Sequence, residues 1–484
     1  MLNSVDIGGE YMDFLNNIVN RTNGYLYSYV LIILLIGAGL FFSIRMKFIQ
    51  FRMIPEMFRL LTEKTPTDSS GKKGISSFQA FTISAASRIG TGNIAGVATA
   101  IAIGGPGAVF WMWMIALIGG ASALIESTLA QVYKVKDKET GLYRGGPAYY
   151  MEKGLNKRWM GVLFAIVITL TYGFVFNAVQ ANTITIAFKE SFGANRLVVG
   201  IILAVLTGII VFGGLKRIVS VTQVIVPVMA IAYIAVAFLV ILLNITELPH
   251  VLLLIIKSAF GWEEAFAGMV GAAVMQGIKR GLFSNEAGMG SAPNAAATAS
   301  VTHPVKQGLI QTLGVFIDTI LVCTSTAAIV LLSDAYMQND AKSVNLTQLS
   351  LVSNLGDWAG IFLAIAVFLF AFSTVIGNYY YGETNIGFIK DSKTAMFIFR
   401  ILAVGFVLFG SLAKVDLVWN LADLFMAMMA IINLIAIILL WKVAKPVIRN
   451  YLDQRKQGKN PVFYKKDVPE VGDIECWGED EENR

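Results

Sequence analysis

The residues best placed to do chemistry lie inside apolar runs. The stretch Ser87-Arg88-Ile89-Gly90-Thr91-Gly92-Asn93 sets two glycines, polar neighbours and a full charge about a dozen residues into a segment long enough to cross a bilayer. Lipid satisfies no backbone group, so a helix interrupted at that depth has to line a protein-enclosed polar cavity. Its freed N–H groups then suit a carboxylate and its freed C=O groups a cation; the alternative is a continuous helix whose glycines pack on a neighbour. A midplane Arg88 favours the polar cavity. A second glycine-rich run goes from Gly268 through Met275-Gln276-Gly277 to Lys279-Arg280-Gly281 and Ser284-Asn285-Glu286-Ala287-Gly288-Met289-Gly290-Ser291. By depth alone, Met275, Gln276 and Gly277 fall nearest the midplane. Phe176, Asn177 and Gln180 share one helical face. Ser373 and Thr374, followed by Asn378 and Tyr379, offer hard hydroxyl oxygens of the kind a weakly held monovalent cation takes, or ordinary hydroxyl-to-backbone bonds. Glu126, Asp318 and Asp423 are carboxylates within apolar spans, each a candidate proton carrier, ion ligand or partner of a buried cation.

No chemistry on a covalent bond is visible. The two histidines, His250 and His303, and the two cysteines, Cys323 and Cys476, form no metal-ligand spacing and no disulfide pattern. A metal enzyme therefore has no recognisable site, and no cofactor is expected.

The elements that must hold these residues follow from composition. Of 484 residues, 56% are hydrophobic and 14% charged, with a mean hydropathy of +0.66. Soluble domains are about 25% charged, so this chain reads as an all-α integral membrane protein, and a soluble enzyme or a nucleic-acid binder is excluded. Eleven candidate transmembrane helices emerge, at about 26–44, 76–103, 107–132, 159–187, 198–213, 218–245, 264–283, 307–333, 357–381, 395–413 and 416–441. Tight hairpins are expected at Gly213 to Ser220 and at Gly410 to Asp416, and a short surface helix at Leu252 to Ile256. The first residues, with Asp6, Glu10 and Asp13 and no cation before Arg21, lack the pattern of a cleaved signal.

Numbered from the N-terminus, the odd loops and the C-terminal tail carry 30 of the 38 Lys and Arg, taking Lys279, Arg280 and Lys306 as one loop. This bias places the odd loops and the C-terminus in the cytoplasm and the N-terminus outside a plasma membrane. The net charge of +6 is thus a matter of topology, with no acidic partner needed. The tail, ending in Glu479-Asp480-Glu481-Glu482, reads as mobile. Four regions result: 1–75 with the first helix and a basic loop, 76–245 as one five-helix unit, 246–441 as a second, and 442–484 as the tail. Each unit opens with a glycine-interrupted helix, in opposite membrane orientation, which is the signature of a secondary transporter built from inverted repeats.

The blocks Arg88 to Val97, Gly104 to Trp113, Tyr143 to Tyr150, Gly277 to Pro293 and Ala371 to Glu383 resemble the alanine or glycine:cation symporter family, over a match from about Phe78 to past Trp441. The resemblance implies the leucine-transporter fold of the amino acid-polyamine-organocation superfamily: a 5+5 inverted repeat behind one extra N-terminal helix. It implies a sodium-driven importer of small neutral amino acids, L-alanine first, then glycine and D-alanine, working as a monomer with Na+ as coupling ion. Gly90-Thr91-Gly92-Asn93 is similar to the unwound segment whose N–H groups hold the substrate carboxylate in distant members of that fold. The sodium ligands implied are the carbonyls of Ala86, Ile89 and Phe370 and the hydroxyls of Ser373 and Thr374. The substrate ammonium would meet carbonyls near Ser87 and from Val274 to Gln276, with Gly277 adjoining, while Phe176 and Met275 limit the side chain. Arg88 departs from the small residue of the distant relatives; it either supplements carboxylate binding or pairs with Glu126. Rival readings are proton coupling through Asp318 or Glu126, an ion channel, and a membrane-embedded transferase.

Overall fold

In the computed structural model, residues 17–66, 74–137, 140–333, 335–338 and 342–478 are described. Asp6, Glu10, Asp13 and the acidic stretch 479–482 lie outside them.

Helix α1 (Asn17–Arg45) leads into the short amphipathic α2 (Ile54–Leu61). The first interrupted span follows as α3 (Ser77–Arg88) and α4 (Gly92–Gly104). Ser76 and Gln79 close a reciprocal capping box at the start of α3, satisfying two backbone donors that would otherwise be orphaned. Then come α5 (Gly107–Val132), a two-stranded hairpin pairing β1 (Val135–Lys136) antiparallel with β2 (Tyr143–Arg144), α6 (Pro147–Lys153) and α7 (Arg158–Phe192). Helices α8 (Arg196–Val211) and α9 (Gly214–Leu243) follow.

The expected surface helix is α10 (Leu248–Ala259). Beyond it run α11 (Val270–Asn285), the single turn α12 (Ala292–Ala296), α13 (Pro304–Leu331), α14 (Ser343–Leu355), α15 (Trp358–Ile389), α16 (Lys393–Leu412), α17 (Val415–Leu439) and α18 (Trp441–Lys456).

Eight described helices are long and apolar enough to cross a membrane: α1, α5, α7, α9, α13, α15, α16 and α17. They coincide with eight of the eleven expected spans. The other three differ for physical reasons. The second span is broken, the seventh is a 3-10 turn at 264–269 followed by the 16-residue α11, and α8 also has only 16 residues. The apolar stretches of α5, α7, α13 and α15 are 67–72% buried, whereas those of α9 and α16 are 28% buried and expose rows such as Val224, Val228 and Ile231. The first group forms the centre, and the second is the lipid-facing flank.

The tail is docked on the bundle over its described length. Phe463, Val468, Val471, Ile474 and Trp477 are buried, Trp477 Nε1 donates to the Gln131 carbonyl (2.9 Å), and Tyr133 Oη donates to that of Val471 (3.0 Å). Its apolar side chains, spaced too irregularly to read as a helix, fold back against the end of α5.

Candidate functional site

Helix α3 stops at Arg88 because Ile89 turns to φ −79°, ψ 85°. The bonds that would continue the ladder are rerouted. The Gly90 N–H, which a helix would direct to the Ala86 carbonyl, donates to Asn93 Oδ1 (2.9 Å), and the Asn93 N–H goes to the Gly90 carbonyl (3.2 Å) instead of that of Ile89. The Ala86 and Ile89 carbonyls are released. Thr374 Oγ1 on α15 lies 2.8 Å from the Ala86 oxygen, 3.4 Å from that of Ile89 and 2.9 Å from that of Phe370. The neighbouring Ser373 hydroxyl also reaches the Phe370 carbonyl (2.9 Å). Two hydroxyl protons thus serve three carbonyls, leaving lone pairs over in a buried cluster of neutral oxygens. Hard, uncharged oxygen ligands of this kind fit a monovalent cation. Gly377 makes the approach of α15 feasible: a Cβ there would stand 2.8 Å from the Ser87 nitrogen.

The Thr91 N–H donates to Gln180 Oε1 (3.1 Å), so side-chain amide oxygens of Asn93 and Gln180 occupy the two N–H groups at which a carboxylate would be received. Thr91 Oγ1 is buried without a protein partner. Gly92 faces an aromatic wall, since a Cβ on it would come 2.9 Å from the Phe283 ring and 3.3 Å from Ser284 Cα. The Phe283 ring packs on Phe176 (centroids 4.8 Å) and Trp419 (4.9 Å). Ser87 Oγ sits 2.9 Å from Glu286 Oε1 and 2.7 Å from Asn378 Oδ1, and Ser291 Oγ donates to Glu286 Oε2 (2.6 Å).

The second interruption falls elsewhere than depth alone suggests. Helix α11 runs unbroken through Met275, Gln276 and Gly277, and Gly277 packs against the Ala108 carbonyl and Trp111 of α5. The break comes at Glu286, which adopts φ 57°, followed by Gly288 (φ 80°) and Gly290 (φ 86°). Glu126 receives the N–H groups of Gly288 (3.2 Å) and Gly290 (3.1 Å) and the Asn433 amide (2.7 Å), so it fastens the loop to α5. The residues of α11 that meet Gly92 are therefore Phe283 and Ser284, about two turns beyond Met275 and Gln276.

The other carboxylates also tie helices together. Asp318 accepts from Asn93 (2.7 Å), Ser284 (2.7 Å) and Thr319 (3.0 Å). Asp423 pairs with Lys279 (2.5 Å) and Arg280 (3.1 Å), and the Arg280 guanidinium lies 4.7 Å from the Trp419 ring centroid. Lys279 and Arg280 thus belong to helix α11 and not to a loop, because α11 packs on α5 at Gly277 and Gly281, against Ala108 to Ile115. The cation bias of the remaining loops keeps its sign. Arg88, 2% exposed, donates from Nη1 to the Gln311 carbonyl of α13 (3.1 Å), not to Glu126.

Three π-helical segments, Gly92–Gly96, Thr169–Val175 and Ile317–Cys323, border the site, as such bulges do at functional positions. Sequence reasoning quoted Phe283, Ser284 and Glu286 within the second glycine-rich block without giving them a role, and missed Trp419. The alternating Gly288 and Gly290 in the quoted motif, echoing Gly90 and Gly92, was the available signal.

Comparison with known proteins agrees with this architecture. The sodium:alanine symporter family model matches residues 12–465. The chain is 58% identical over 96% of both chains to a probable sodium/glutamine symporter, GlnT, of Bacillus subtilis, and 56% identical to the amino-acid carrier protein AlsT of the same organism, over 97% of this chain and 98% of that one. It is 38% identical to the sodium/alanine symporter AgcS of Methanococcus maripaludis, over 93% of this chain and all of that one. A crystal structure of a manganese transporter from Eremococcus coleocola has the same fold, with a TM-score of 0.54 at 13% identity over 83% of this chain and 84% of the other. Eight apolar helices long enough to cross a membrane, chain breaks after Arg88 and at Glu286, and matches along nearly the whole length establish that the chain belongs to the sodium:alanine symporter family, whose members are amino acid transporters and not enzymes.

Proposed function

We propose that the protein imports small neutral amino acids, L-alanine first, then glycine and D-alanine, in symport with Na+ by alternating access. The observation that carries this reading is the cluster of the Ala86, Ile89 and Phe370 carbonyls around the Thr374 hydroxyl, one turn from the N–H groups of Gly90 and Thr91. Sodium would take the carbonyl and hydroxyl oxygens, with Ser373 contributing. The substrate carboxylate would displace the Asn93 and Gln180 amide oxygens at the positive end of α4, and its ammonium would meet Ser87, Glu286 and the negative end of α11. Phe176 and Phe283 would cap the side chain. Met275, Gln276 and Gly277 support the outer part of the pocket through α11.

Because both ligands order the same turn, 86–92, each raises the other's affinity by an equal factor. Sodium is favoured over protons because Asp318 and Glu126 each already accept three hydrogen bonds. The remaining elements of the reading are a 5+5 inverted repeat over 76–245 and 246–441, the N-terminus outside, the C-terminus cytoplasmic, and a functional monomer. Glutamine is a second substrate reading, supported by the probable sodium/glutamine symporter that is 58% identical.

The test is uptake of labelled L-alanine by proteoliposomes under an imposed sodium or proton gradient, with glycine, D-alanine and L-glutamine as competitors. Sodium-driven accumulation of chemically unchanged alanine is expected. Uptake driven by protons alone would overturn the coupling, unsaturable current would indicate a channel, and recovery of a modified solute would indicate a transferase. Competition by glutamine but not by alanine would replace the substrate assignment.

A further inference from the structure

Helices α2 and α18 meet at the end of the bundle that carries the basic loops. A cavity of about 500 Å³ opens between them, lined by Arg52, Glu56, Arg59, Arg455 and Lys456 with Leu452 at its side. Four cations there face one carboxylate. Glu56 is bound on both oxygens, receiving Arg59 (2.7 and 2.8 Å), Arg455 (2.9 Å) and the Tyr451 hydroxyl (2.7 Å), so it holds the walls together. Among the described residues Arg52 has no carboxylate partner, donating only to the Lys47 carbonyl (3.2 Å). Lys456 touches Asp453 at 3.5 Å on an exposed face. The cavity thus keeps a positive excess.

The same segment exposes Phe48, Phe51, Ile54 and Phe58. Phe51 stacks on Phe316 of the spanning helix α13, with ring centroids 6.0 Å apart, which fastens the apolar rim to the helix bundle. A short amphipathic helix that exposes Phe58, preceded by a turn that exposes Phe48 and Phe51, with a cationic hollow beside both, is an arrangement suited to an anionic lipid surface. A free phosphate ion would gain nothing from the apolar rim.

We infer that this cavity binds the phosphate headgroup of an anionic phospholipid, with the acyl chains laid along Phe48, Phe51 and Phe58. Arg52 and Lys456 supply charge to the ligand, while Arg59 and Arg455 stay paired with Glu56.

The test uses the full-length chain in detergent, titrated with phosphatidylglycerol, phosphatidylcholine or inorganic phosphate, with bound lipid counted by native mass spectrometry. Wild type should retain phosphatidylglycerol and largely release phosphatidylcholine. Each of Arg52→Gln and Lys456→Gln should weaken phosphatidylglycerol retention roughly fivefold, the share of one cation near a membrane surface. Lys456 lies on an exposed face of α18, so K456Q keeps the test valid if R52Q folds poorly, and the thermal midpoint checks both. Equal retention of phosphatidylglycerol by wild type and K456Q would overturn the site. So would equal retention of the two lipids, or displacement of phosphatidylglycerol by inorganic phosphate at matched concentration.

Discussion

The Thr374 hydroxyl lies 2.8 Å from the Ala86 carbonyl oxygen, 288 residues away in the chain, and this contact joins α15 to the broken end of α3. Its removal should raise the sodium concentration for half-maximal uptake. A hydrogen bond or ligand contact to a charged group is worth about 1.5–3 kcal/mol, so Thr374→Ala should shift that concentration by roughly ten- to a hundredfold. Thr374→Ser should stay within a few-fold of wild type. Sodium titrations of alanine uptake decide, and an unchanged sodium dependence in T374A would remove the cation assignment.

Gly92 leaves the space that the amino acid is proposed to use. A Cβ there would meet the Phe283 ring at 2.9 Å and Ser284 Cα at 3.3 Å, and backbone cannot yield as a flexible side chain can. Gly92→Val should abolish measurable alanine binding, while Gly405→Ala, where nothing lies within 4 Å, should leave it unchanged. Calorimetric titration of alanine into both variants, after matching thermal midpoints, tests the placement; intact affinity in G92V would refute it.

Glu126 holds the second break by receiving Gly288, Gly290 and Asn433. Glu126→Ala strands three buried donors, at about 1–3 kcal/mol each. A markedly lower thermal midpoint and loss of uptake are expected, with Glu126→Gln intermediate because its amide oxygen still accepts. A midpoint for E126A equal to wild type would show that the loop holds itself.

His303 sits at the foot of α13 as a neutral ring, its Nδ1 accepting from the Val305 N–H (3.3 Å) and its Nε2 facing Asn450 Oδ1 (3.1 Å). Burial pushes its pKa down to about 3, with the Asn450 bond opposing and the Lys306 charge adding to the drop. The folded state therefore refuses a proton that the unfolded chain takes up below its ordinary value of 6.5. Stability is unaffected above that value and falls as pH drops from 6.5 towards 3, by at most about 1.4 kcal/mol per pH unit from this group. His303→Asn keeps a helix-capping oxygen and should flatten the part of the thermal-midpoint profile between pH 7 and 5 that this ring causes. An identical slope in H303N would assign the acid sensitivity to other groups.

Trp477 packs its ring on Phe463 (centroids 5.3 Å) and lies 4.7 Å from Lys134 Nζ. Truncation of a buried aromatic costs about 3–5 kcal/mol. Trp477→Ala should speed hydrogen exchange in 461–478 and at the β1–β2 hairpin, without altering the sodium dependence of uptake. Exchange already fast in wild type would mean that the docked tail is not held in solution.

Some of this was legible locally. Polar residues interrupting an apolar run announce themselves by composition, so Gly90 to Asn93, Phe176 and the Ser373-Thr374 pair stood out, and the structure gathers Ala86, Ile89, Phe370, Ser373 and Thr374 around one turn. Glu286 did not stand out, because it follows the cations Lys279 and Arg280 and reads as part of a polar loop. Only α17 reverses that reading, by placing Asp423, 143 residues on from Arg280, where it neutralises both cations inside the bundle.

By itself the sequence determined that the chain lives in a bilayer, how its basic loops are biased, and that one helix breaks at Gly90, because hydropathy and backbone freedom are properties of neighbours in the chain. Tertiary structure decided where the second break falls, which cations are buried, where Arg88 points and that the tail docks. Each of these depends on a partner from a distant helix, and the free energy of a buried charge or released carbonyl is set by that partner and not by the residues beside it in sequence.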